Sequence, residues 1–399
     1  MTVTQSPFDQ RLGPVVFDAV QLRVRDRLVG EALDAVLTDN PEDVAYLTGF
    51  FHHPGERPVA VWLDTAGETV LLVPELEREH AAEQGSRAEL VSFAEYPGIV
   101  PPFAALAERV GASGAGRRIG FTTSMSYQRL AAVRAQFPHD EFVPTELVTI
   151  ARYIKLPEEI ALHAEAARIT DLMLAAGVSL VTEAIASEGV LPSESELASH
   201  VTRTGVGAMY SEHVNVVVVS PLAGGLVYAG ANSAFPHGLP SGYRLAPGDT
   251  LMLSLGCAVG GRFVEGERTF VLGEPSTDQR RYHEAVRLAQ EVGGSAIAPG
   301  VECRTANDTC LQVIRDAGLG QYLRHRQGHG IGLGMHEPPW LESGDPTLLE
   351  AGMIVSNEPG IYIPGHAGYR ISDSMLVTSG GSRPLTSFPR ALEDCIIPL

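Results

Sequence analysis

Residues 328 to 337 read Gly-His-Gly-Ile-Gly-Leu-Gly-Met-His-Glu, and Asn357-Glu358-Pro359-Gly360 follows downstream. Two imidazoles, His329 and His336, are separated by a glycine-rich run, and a carboxylate, Glu358, then sits on a turn. A lone histidine is as often a partly buried core residue as a catalytic one. Two of them with a carboxylate gather groups that titrate near neutrality or accept protons, which is the equipment of a reaction site. The chain is therefore expected to fold around this stretch.

At 399 residues the chain suggests two domains. Its 44% hydrophobic and 19% charged content is that of a globular protein with a sizeable core. The formal charge is −19, and Lys155 is the only lysine among the basic residues. Such an acidic surface repels nucleic acid and anionic lipid, so neither is an expected partner. Cys257, Cys303, Cys310 and Cys395 form no C-x-x-C pair, which argues for reduced thiols and a cytoplasmic protein. Met1 to Gly13 lacks a basic-then-apolar signal, and no uninterrupted run of about 18 apolar residues occurs to span a membrane.

In the N-terminal half, helical periodicity runs from Phe17 to Gly30, and Ala35 to Thr38 reads as a short buried strand. Asn40-Pro41 caps the next helix. Val59 to Leu63 and Thr69 to Val73, joined by a turn at Asp64 to Glu68, read as a hairpin. Helical segments near Pro74 to Gln84, Phe103 to Val110 and Met125 to Phe137 alternate with strands near Glu89 to Val91 and Arg118 to Gly120, giving an α/β domain. The loop before the hairpin, His52 to Pro58, carries Arg57, whose planar fork matches a carboxylate. A solvated loop is the alternative reading.

Arg152 to Ile160 marks the boundary, giving domains at residues 1–153 and 154–399. Pro157 in a first turn, followed by Glu158 and Glu159, opens a long helix through Leu180. A second helix begins at Ser193 or Ser195, and Val214 to Val219 reads as a buried strand. Further helices are expected at Thr277 to Val292 and Arg304 to Ala317. Phe235-Pro236-His237-Gly238 precedes a turn at Ala246 to Asp249, then a core strand at Leu251 to Gly256. The next strand, Arg262 to Phe270, carries Glu265 and Glu267 two residues apart and hence on one face. Phe263 and Phe270 fall on opposite parities, so whether that face is buried stays open.

The order of these motifs resembles the creatinase/aminopeptidase P/prolidase family: His237-Gly238, Pro247-Gly248-Asp249, Glu267-Arg268-Thr269-Phe270, Gly328 to Gly332 with His336-Glu337, Glu358-Pro359-Gly360-Ile361-Tyr362, and Gly368-Tyr369-Arg370-Ile371. The resemblance covers essentially Lys155 to Leu399. It implies an α+β chain with a pita-bread C-terminal domain, a smaller α/β N-terminal domain, and a homodimer. Peptidases of the family hold two metals on two aspartates, a histidine and two glutamates. The corresponding positions here are Ser254, Glu265, His329, Glu358 and Ser372. Two hydroxyls stand where carboxylates would be needed, and a two-metal site requires several anionic oxygens.

Creatinase lacks the same cluster, and this chain is similar to it at His237, Glu267, Glu358 and the Arg57-Pro58 pair. Other creatine-binding features are absent, with Trp340 near the place of a second arginine and Gly55 in place of a phenylalanine. The resemblance thus implies a hydrolase without metal or cofactor that cleaves a C–N bond in a small carboxylate-bearing amidine, guanidine or amide. His237, Glu267, Glu358, His329 and His336 are the expected catalytic residues. Arg57, Glu265, Tyr362 and Arg370 are expected to bind the substrate. Two alternatives are a metal-dependent Xaa-Pro dipeptidase or aminopeptidase using Glu265, His329 and Glu358, and a binding module without activity.

Overall fold

A computed structural model of the chain describes residues 7–111 and 116–399. It forms two compact units, one of residues 11–152 and one of residues 153–399 with the segment before Arg11. The strand Phe8–Asp9 pairs with His213–Val214, so this N-terminal stretch belongs with the C-terminal unit rather than with the domain expected at 1–153.

In the first unit, six strands run in the order Glu89–Phe93, Thr69–Pro74, Ala60–Asp64, Ala35–Thr38, Arg118–Thr122, Glu141–Thr145. Ala35–Thr38 is buried at every residue, as its uninterrupted apolar run requires of an inner strand. The expected hairpin forms, with Trp62 opposite Val70. The Asn40 side chain accepts from Asp43 N at 2.9 Å and caps Pro41–Thr48 as expected. The segment expected to be helical from Pro74 divides into a 3-10 turn at Glu75–Glu77 and a short helix at Arg78–Glu83.

The second unit is built on a nine-stranded sheet. Its main path is Glu337–Leu341, Gly328–Gly330, Ile354–Asn357, Ser372–Thr378, Arg262–Leu272, Thr250–Val259, Ala223–Ala229. Helices Pro157–Ala186 and Glu194–Glu212 pack on one end of this sheet, Thr277–Ala296 and Cys303–Asp316 on the other. Pro157–Ala186 extends past the expected Leu180, with Leu162, Ala166, Ile169, Met173 and Leu174 buried at helical spacing. By length and mean hydropathy this helix could cross a membrane, although charged residues such as Arg168, Asp171 and Glu183 leave no uninterrupted apolar run of that length. Its apolar face is the one that packs on the Thr250–Val259 and Arg262–Leu272 hairpin.

The valine run Val214 to Val219 does not form the expected buried strand. Only His213–Val214 is extended and paired; Asn215 adopts φ +53°, which turns the chain, and Val218 is 62% exposed. An apolar run becomes a strand only where a neighbour offers backbone partners. Here Ala223–Ala229 takes the place beside Thr250–Val259.

Candidate active site

The site begins with the hairpin. Thr250–Val259 and Arg262–Leu272 pair antiparallel, with Ser254 opposite Glu267 and Gly256 opposite Glu265. Between the two glutamates, Gly266 faces the long helix so closely that a Cβ there would lie 3.1 Å from the Thr170 and Thr386 methyls. The glycine lets helix and sheet close together. By strand alternation, Glu265 and Glu267 then point to the other face, away from the helix. Both are almost fully buried, which answers the question their parity left open.

His329 comes from Gly328–Gly330, where Ser356 Oγ accepts from its backbone N–H at 3.0 Å. The ladder to Glu337–Leu341 shifts register after His329, and the intervening loop swings Met335 and His336 over the cavity. Glu337 holds that loop: its Oε2 accepts from Gly334 N at 3.1 Å and its Oε1 takes the Lys155 ammonium at 3.3 Å. Gly332 is needed there, because a Cβ would sit 2.1 Å from Glu337 Oε1. Glu358 is set by its backbone N–H, which donates to Gln327 O at 2.8 Å.

These elements enclose a cavity of about 140 Å³. Its polar walls are His237, Ser254, Glu265, Glu267, His336, Glu358 and Arg370, and Leu226, Leu255, Val264 and Met335 supply apolar surface. Six of the nine residues expected at the site therefore line one cavity. His329 stands behind it, with Nε2 3.2 Å from Glu358 Oε1 and 3.7 Å from Glu265 Oε2, and its ring centroid 4.1 Å from that of His336. Tyr362 also stands behind, its hydroxyl accepting from Arg370 Nη1 at 3.1 Å. Arg57 belongs to the other unit, where it pairs with Glu56 at 2.7 Å and with Glu95.

Arg370, expected to bind the substrate, lines the cavity and is held there by protein groups. Its Nε lies 2.5 Å from Glu267 Oε2, its Nη1 donates to Tyr362, and its Nη2 donates to Tyr228 and to Ser254 Oγ, both at 2.9 Å. Both terminal nitrogens donate to protein groups and Nε is in ion-pair contact with Glu267, so Arg370 orients Glu267 from the cavity wall. Tyr228 and His325, which bonds Tyr362 Oη at 2.8 Å, complete this cluster. Sequence reasoning missed both, since each is a single polar residue without a local motif.

Burial and mutual repulsion set the charges. Burial and the nearby Glu358 charge push Glu265 up to about 8. Burial acts the same way on Glu358, but contact with His329 outweighs it and holds this carboxyl down to about 2. For His329, the Glu265 and Glu358 carboxylates overcome the burial that would neutralise it and raise it to about 9. Partial burial and the His329 charge push His336 down to about 4. His329 and Arg370 thus face the carboxyl groups of Glu358 and Glu267, while burial and the Glu358 charge disfavour ionisation of Glu265.

This arrangement does not fit two divalent ions. Ser254 Oγ donates to Glu267 and accepts from Arg370, and Ser372 Oγ donates to Glu265 at 2.8 Å. Both hydroxyls are committed to protein groups, and the guanidinium contacting Ser254 would repel a dication. Glu265, His329 and His336 do bring ligand atoms within 4.8 Å of one another, a spacing that could hold one ion.

A pita-bread sheet with a cavity of carboxylates and imidazoles defines a hydrolase of the creatinase, aminopeptidase P and prolidase type. The chain belongs to metallopeptidase family M24, whose model matches residues 161–379, and residues 21–154 match the creatinase/prolidase N-terminal domain. It is 29% identical over 373 residues to an uncharacterized peptidase of Staphylococcus aureus, covering 92% of this chain and 99% of that one. It is 28% identical over 379 residues to an Xaa-Pro dipeptidase of Lactobacillus delbrueckii, covering 93% and 97%. The solved Xaa-Pro dipeptidase from Bacillus anthracis superposes with TM-score 0.80 at 29% identity, over 95% of this chain and 99% of that one. The prolidase from Pyrococcus horikoshii gives TM-score 0.80 at 26% identity, over 94% and 99%.

Proposed function

We propose that this family member hydrolyses a C–N bond in a small amidine-, guanidine- or amide-like compound without a metal ion. The observation that carries this reading is the pair Ser254–Glu267 and Ser372–Glu265, in which hydroxyls bound to carboxylates stand where a two-ion site needs anionic ligands. With Arg370 against Glu267 and His329 against Glu358, the cavity suits a planar nitrogen compound whose N–H groups donate to Glu358 and Glu267.

His237 takes a proton from water as the water oxygen bonds to the central carbon. Its imidazolium then returns that proton to the leaving nitrogen as the C–N bond breaks. Glu358, held as an anion beside His329, stabilises a cationic substrate and keeps its carbon facing the water. Apolar Leu226, Leu255 and Met335 limit bulk water.

The test compares hydrolysis of a panel of small amidines, guanidines and Xaa-Pro dipeptides by wild type and His237→Ala. Turnover of the preferred compound should fall at least about a hundredfold in the variant, the low end for a positioned acid–base group. Unchanged turnover would remove His237 from the mechanism.

A second reading has one specific support, the ligand-atom cluster of Glu265, His329 and His336. Combined with the dipeptidase names of the relatives, it describes an Xaa-Pro dipeptidase with a single ion. Three protein ligands and an open position suffice for catalytic zinc. This reading predicts activity on Xaa-Pro dipeptides that a chelator abolishes.

A further inference from the structure

His237 is exposed, and no described residue hydrogen-bonds its ring, so its placement depends on the loop that carries it. That loop leaves the sheet after Ala229, turns through Gly230–Ala234 and returns at Ser241. Both of its ends meet one carboxylate. Glu194, wholly buried, accepts from Ala229 N at 2.7 Å and from Asn232 Nδ2 at 2.9 and 3.0 Å. It also accepts from Ser241 N at 2.8 Å and Ser241 Oγ at 2.6 Å.

No cation pairs with Glu194 among the described residues, so these hydrogen bonds stand in for one. Glu194 is the first residue of the helix Glu194–Glu212, whose positive end favours an anion there and whose Leu197 and Val201 are buried. Ser195 N donates to Ser241 O at 3.0 Å, docking the helix start on the same loop. The middle of the loop has a separate tie, Tyr228 Oη to Pro236 O at 3.1 Å.

We propose that Glu194 is a positioning residue for His237: a buried carboxylate that clasps the two ends of the 229–241 loop and holds the imidazole over the cavity. The role in turnover rests on the reading of His237 given above; the clasp itself does not. A carboxylate is required because all its partners are donors. Glutamine would turn an N–H₂ group toward donors and leave at least one oxygen-facing set without an acceptor.

The experiment uses the full chain and hydrogen–deuterium exchange read by mass spectrometry, comparing wild type with Glu194→Gln. Exchange across 229–241 should accelerate at least about tenfold while the Thr250–Leu272 hairpin keeps its protection. On the compound that wild type hydrolyses, kcat should fall tenfold or more with KM within about threefold. Unchanged exchange at 229–241 overturns the clasp whatever the activity, and faster exchange with unchanged kcat overturns its role in positioning. Failure of His237→Ala to lower turnover would instead sink the catalytic reading and leave the exchange result to judge the clasp. Should Glu194→Gln not fold, Ser241→Ala is expected to accelerate the same exchange and Ser241→Thr, which keeps the hydroxyl, to restore it; identical exchange in both overturns the proposal.

Discussion

Arg370 Nε lies 2.5 Å from Glu267 Oε2, and both side chains are about 95% buried. A guanidinium enclosed this way neutralises one carboxylate of the cavity and fixes its direction, leaving Glu267 rigid in front of a ligand. Arg370→Met should therefore strand a buried charge and cost about 3–5 kcal/mol in stability, measured by urea denaturation. Adding Glu267→Gln to that variant should recover a good part of the loss. Additive destabilisation would show that the pair is not coupled.

Two buried histidines away from the cavity predict an acid sensitivity. Burial pushes His283 down to about 4 from its usual 6.5, and pushes His163, whose Nδ1 donates to Phe263 O at 2.8 Å, well below its usual range. Each is a base whose folded pKa is depressed. Between about pH 6.5 and 4 the unfolded chain binds more protons than the folded one, so stability falls as pH drops through that window. For His283 alone the loss from pH 7 to 5 is on the order of 2 kcal/mol. Urea midpoints for wild type and His283→Gln at both pH values check this, and the variant should show the shallower decline.

Much of the site was legible because it follows from local rules. Strand alternation put Glu265 and Glu267 on one face, and motif order brought His237, His329, His336 and Glu358 to one region. What was illegible depends on contacts between distant segments. Ser254 meets Glu267 only through the hairpin register, and Arg370 donates to Tyr228 and Tyr362 from other strands. Glu194 stands out in no motif, since nothing nearby in the sequence reveals the loop ends it binds. The valine run failed for the same reason: Val218 is apolar, but no neighbouring strand is there to pair it.

Arg57 tests the substrate carboxylate that the sequence leads one to expect. Its present partners, Glu56 and Glu95, are exposed or partly exposed, so a ligand carboxylate could replace them at small cost. Arg57→Ala should raise KM for a carboxylate-bearing substrate about tenfold or more while leaving its carboxamide analogue unaffected, and Arg57→Lys should restore only part. Equal effects on both compounds, or none on either, would return this residue to a solvated loop.

The most direct test of the central claim is the metal content of the purified enzyme, read by elemental analysis on the same sample whose turnover is followed before and after exhaustive chelation. Ser254 and Ser372, bound to Glu267 and Glu265 where a two-ion site needs anionic ligands, predict well under one ion per chain and turnover that chelation leaves intact. One or two tightly held divalent ions per chain, with activity lost on their removal and regained on their return, would contradict it.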